Sequence, residues 1–192
     1  MKKSRIVLVL CMMVVIAVAS VAGTIAWLTD TTTPVTNTFT TAGIDIELIE
    51  TKKSDGTEVA AGVTDWSAKL VPGVTYPKNP VVTVKANSEV CYLFVEFTET
   101  NAPATYLAYT YMWDAEGQTE WTKLNDNVWY RTVAASGADQ SWNLLVNNQV
   151  TVKKDLVKGN MPTANPTISF KAYAIQTAET GTAAEAWAKI SH

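Results

Sequence analysis

From residue 37 onward the apolar side chains of this chain recur at every second position rather than every third or fourth, and that period decides the fold class. The clearest stretch is GIDIELIET, in which Ile44, Ile46 and Leu48 point one way while Asp45, Glu47 and Ile49 point the other. These segments are rich in Val, Ile, Thr, Tyr, Phe and Trp, which suit a pleated, half-buried surface. The chain is predicted to be all-β.

Further along, Val81 to Lys85 and Val90 to Thr98 read as strands separated by a polar turn at Asn87 and Ser88. The second is apolar on most of both faces, as expected of a central strand covered on two sides. Pro72, Pro77 and Pro80 are expected to keep the segment before it out of any central ladder. Trp121 to Leu124 and Val128 to Val133 form an expected hairpin, closed by Asn125-Asp126-Asn127, residues that tolerate the left-handed conformation. SWNLLV and VTVKKDL add short strands, and TISFKAYAIQTAE adds a long one with Ile168, Phe170, Ala172 and Ala174 on one face. Only Thr182 to Ile190 reads as helix. Seven to nine short strands plus a carboxy-terminal helix point to an antiparallel β-sandwich of jelly-roll type in a single domain.

The amino end obeys different rules. Lys2, Lys3 and Arg5 precede an uncharged run from Ile6 to Thr29, which reads as an export signal. The run is long enough to span a bilayer as a helix, yet small residues near its end offer processing sites after Ala19, Ala22 and Ala26. Cys11 follows Leu10, not the small residue a lipidated cysteine needs. Loss of the leader takes Lys+Arg from 15 to 12 against 18 Asp+Glu, a net charge of −6. An acidic domain without a basic run has no electrostatic footprint for phosphate backbones, so nucleic acid is not an expected partner. Beyond the leader the one cysteine is Cys91, inside an apolar strand, and it reads as a small buried hydrophobe.

Chemistry is sparse. The only histidine is His192, so no His-based zinc site is expected and a serine or cysteine nucleophile has no imidazole base. Phosphate-cradling, dinucleotide and nucleophile-elbow motifs are absent. No cofactor, metal ligand or catalytic residue is assigned. YLAYTYMW, Tyr106 to Trp113, reads equally as buried strand, partner surface or stacking platform.

Four stretches together resemble the TasA/camelysin group of secreted proteins of Gram-positive bacteria: AGTIAWLTDTTTPVTNTFTTAGIDIEL, LVPGVTYPKNPVVTVKANSEVCYLFVEF, DNVWYRTV and KAYAIQTAETGTAAEAWAKI. In the first, Ala26, Trp27, Asp30, Phe39, Gly43 and Ile44 to Leu48 occupy the places of the family pattern. The resemblance implies a signal peptide over 1–26, cleaved between Ala26 and Trp27 by the signal peptidase SipW, with the membrane involved only through that leader. It further implies a jelly-roll domain over 27–192 and self-association into extracellular fibres of the biofilm matrix. Residues 27–40 would then donate a strand to the next subunit, with Trp27, Leu28, Val35 and Phe39 as apolar anchors. Camelysin-like members are described as metalloproteases, but no histidine ligand set exists here to match them.

The expectation is therefore a secreted, non-enzymatic fibre protein. The alternatives are a membrane-anchored adhesion or carbohydrate-binding module and, further off, a camelysin-type metalloprotease. Amino-terminal sequencing of the exported protein separates the first two: a start at Trp27 is expected, and an intact leader favours the anchor.

Overall fold

The computed structural model describes residues 43–57 and 66–190. Ten strands and two α-helices lie in these residues: β1 (Ile46–Glu50), β2 (Thr75–Pro77), β3 (Pro80–Val84), β4 (Cys91–Thr100), α1 (Pro103–Tyr106), β5 (Leu107–Ala108), β6 (Thr122–Lys123), β7 (Val128–Val133), β8 (Gln140–Asn143), β9 (Gln149–Val152), β10 (Thr167–Gln176) and α2 (Ala183–Lys189). The expected signal peptide, its cleavage point at Ala26 and Trp27, and the anchors Leu28, Val35 and Phe39 lie outside the described residues. No helix among those described is long and apolar enough to cross a membrane.

All strand pairings are antiparallel, as the alternation predicts. One sheet has the order β10-β4-β7-β6; the others are β1-β3-β8 and β2-β9-β5. The two three-stranded sheets are successive parts of one bent layer, because β2 leads into β3 and β8 into β9 across the bend. Backbone bonds tie it there, from Leu144 N to the Pro80 carbonyl (3.0 Å) and from Lys78 N to the Asn148 carbonyl (2.9 Å).

The core lies between this layer and the four-stranded sheet. Cys91, Leu93 and Val95 of β4 meet Val82 and Val84 of β3, with Leu144, Leu145 and Val150 completing the contact. The opposite face of β4 is covered as well. There Phe94 packs with Val128, Tyr130 and α2, its ring 5.2 Å from that of Trp187. The two-faced apolar pattern of β4 thus has its cause: sheet on one side, helix on the other.

Seven residues make a marginal helix in water, so α2 owes its existence to local and tertiary support. A capping box begins it, with Glu185 N donating to Thr182 Oγ1 (3.2 Å) and Thr182 N to Glu185 Oε2 (2.9 Å). Ala183 and Ala186 then bring its backbone close to the sheet.

Three expectations need correction. Pro80 begins β3, which is central in its sheet, whereas Pro77 ends β2, an edge strand, as expected. Strand ends tolerate a missing N–H, and the Pro80 carbonyl still accepts from Leu144. The β6–β7 hairpin is where it was expected, but none of Asn125, Asp126 and Asn127 is left-handed; Asn127 N donates to Asn125 Oδ1 (3.1 Å) in a side-chain-mimicked turn. Finally, α2 is not the only helix, since Pro103 starts the four-residue α1.

Leu93 is fully excluded from water. Leu93→Ala is expected to lower unfolding free energy by about 3 kcal/mol, and Thr98→Ala, on the exposed end of β4, by under about 0.5 kcal/mol, both read from urea denaturation.

Candidate functional site

A sandwich-like pair of layers has two open sides, and here they differ. On one side the gap is filled from within. Arg131 of β7 stands opposite Leu93 and therefore faces inward. Its guanidinium carbon lies 4.2 Å from the Trp142 ring centroid and 5.4 Å from that of Trp121, and Nη1 donates to Glu120 (2.9 Å). A cation stacked between two indoles is desolvated by aromatic faces rather than by water, which makes a durable plug.

The opposite side, where β1 and β10 come together, stays open among the described residues. Among the described residues each is the outer strand of its sheet, so each presents backbone N–H and C=O groups that have no ladder partner there on one edge. Ile46 and Leu48 of β1, and Ile168, Phe170, Ala172 and Ala174 of β10, turn toward the core but remain partly exposed. Two hollows lie along this seam. One of about 290 Å³ is bounded by Leu70, Tyr76, Val150 and Val152; the other, of about 240 Å³, by Leu48, Pro80 and Phe170. Trp66, Lys78 and Ile168 border both, so the hollows form one groove with a waist.

The waist is built around a buried charge. Lys78 Nζ donates to Glu50 Oε1 at 2.9 Å, and both side chains are more than nine-tenths buried. Glu50 Oε2 accepts from Asn79 N (3.0 Å), while Trp66 lays its ring 4.7 Å from the ammonium and donates Nε1–H to the Pro77 carbonyl (2.8 Å). Sequence reasoning missed this pair, because Glu50 and Lys78 are 28 residues apart. Only the placement of a charged residue at the end of each apolar strand hinted at it.

The YLAYTYMW stretch is core at its carboxy-terminal end only, while Ala108 and Thr110 are exposed. Tyr111 and Trp113 are buried and stacked (centroids 4.9 Å apart), and Trp113 stacks in turn on Trp129. The tyrosine hydroxyls of 109 and 111 both donate to Glu99 Oε1, at 2.6 and 2.5 Å. Burial and that carboxylate raise both phenol pKa values, so neither ionises near neutral pH. The remaining described Trp residues also pack on the two cores. Cys91 is wholly buried, and desolvation lifts its pKa to about 11, which keeps the thiol protonated and inert.

No protein family, curated protein or solved structure compared with this chain matches it.

Removing one member of a buried pair strands the other charge in a low dielectric. Lys78→Met alone is expected to destabilise by about 3–5 kcal/mol, and the double variant Glu50→Leu, Lys78→Met by distinctly less, as measured in a double-mutant cycle of chemical denaturation.

Proposed function

We propose that this chain is a secreted structural protein whose subunits join by strand donation into fibres at the cell surface or in the extracellular matrix, with no enzymatic activity of its own. The jelly-roll form of the sandwich and the removal of residues 1–26 by a SipW-type signal peptidase belong to the same reading. What supports it is the open seam between β1 and β10. Two strand edges that lack a partner among the described residues flank a groove lined by Leu48, Ile168 and Phe170 beside the Glu50–Lys78 pair, while the other side of the sandwich is closed by Arg131.

An inserted strand gains a backbone ladder from either edge, and its alternate side chains enter the groove. The sequence from Trp27 to Phe39 suits the task, because Trp27, Val35 and Phe39 share one parity, with Leu28 on the other, in a stretch otherwise rich in Thr and interrupted by Asp30 and Pro34. One donor and one groove per subunit give a head-to-tail contact that does not close, and such contacts grow filaments. The resemblance at the amino end supports the same arrangement.

Purified residues 27–192 are expected to form filaments visible by electron microscopy. A chain starting at Thr40 retains every described element of the core but not the donor, and it is expected to stay monomeric. Ile168→Asp places a carboxylate on the shared wall of both hollows and is expected to block growth while leaving the circular dichroism spectrum intact. Filaments from the shortened chain contradict the donor role.

A further inference from the structure

A second concavity lies away from the seam, over the outward face of β5 and β9. It encloses about 690 Å³ and turns around the edge of β5 onto Tyr109 and Glu99. Ala108 and Thr151 are paired across the two strands, so Gln149 and Lys153 share their face. Asn147 and Thr110 add an amide and a hydroxyl, and Asp114 a carboxylate.

Three features distinguish this groove from ordinary polar surface. Both walls are carried by consecutive left-handed residues that are not glycine: Asn147 and Asn148 (φ 56° and 51°) on one side, Asn101 and Ala102 (φ 57° and 46°) just before Ala104 on the other. Such backbone is uncommon, least of all expected at alanine, and tends to gather at ligand clamps. The Glu99 carboxylate is oriented in advance, since the Tyr109 and Tyr111 hydroxyls both hold Oε1. The half-buried Tyr109, edge-to-face with Tyr111, borders the groove beside these polar groups.

We infer that this groove binds a neutral oligosaccharide. Planar amides and carboxylates present two polar atoms side by side, which suits adjacent hydroxyls on a pyranose ring, and Asn147, Gln149, Glu99 and Asp114 supply four of them. An aromatic ring takes the C–H face of such a sugar. Charge decides against acidic polymers: Glu99 and Asp114 outnumber Lys153, whose ammonium is already held by the Ala104 carbonyl (2.6 Å). This site is independent of strand donation, and a fibre carrying it would present one copy per subunit.

The test is isothermal titration of residues 27–192 with cellotetraose, mannotetraose and chitotetraose, each to about 10 mM, which detects dissociation constants in the millimolar range. At least one is expected to bind. Gln149→Ala changes an exposed side chain and is expected to weaken that binding about tenfold with no change in melting temperature. Asn147→Gly removes the amide while keeping the left-handed backbone; it is expected to cost a similar factor in affinity and to leave the melting temperature equal or higher. Absence of binding by all three sugars, or wild-type affinity in both variants, overturns the proposal.

Discussion

The burial of β4 on both faces is the constraint from which the rest of the structure follows. Leu93, Phe94 and Val95 are consecutive and all fully shielded from water, which a strand achieves only when each face has its own cover. The bent layer supplies one cover and α2 the other. The helix is short and alanine-rich where it touches the sheet, so Phe94 can reach Trp187 and Tyr130. With β4 fixed at the centre, β10 and β7 pair along its two edges in long registers and set the width of the four-stranded sheet.

That width leaves two sides to be closed, and different chemistry meets each. At β7 an inward arginine fits between Trp121 and Trp142, trading hydration of its guanidinium for two aromatic faces and a carboxylate. At β10 the inward residues include the small Ala172 and Ala174, and among the described residues no side chain comparable to Arg131 fills the space beside Ile168. The Glu50–Lys78 pair holds the waist of the resulting groove. A buried pair of this kind contributes more to a defined geometry than to stability, because both ions have surrendered their hydration.

Much of the scaffold was legible in the sequence, since strand alternation and turn chemistry are local. TISFKAYAIQTAE forms β10 as far as Gln176, its last three residues turning into a short 3-10 helix, and Asn87 turns the chain between β3 and β4 at φ 64°. The errors arose where local rules have exceptions that depend on position, as with Pro80 at the start of the central strand β3. What the sequence hid is everything set by distant pairing. The partners Glu50 and Lys78, the Arg131 plug, and the convergence of Glu99 with Tyr109 and Tyr111 are products of topology. The donor segment shows the reverse case: its anchors, Trp27, Leu28, Val35 and Phe39, are legible in sequence and lie outside the described residues.

The open seam carries the functional reading, and hydrogen–deuterium exchange resolved along the chain tests it most directly. In the monomer, the outward-edge amides of β1 and β10 have no ladder partner among the described residues and should exchange fast, while β4 stays protected. In filaments, the seam-side amides of one or both edge strands should become protected by at least about tenfold, with no matching change at β6 or β5. Filaments in which both seam edges exchange as fast as in the monomer would contradict strand addition at this site.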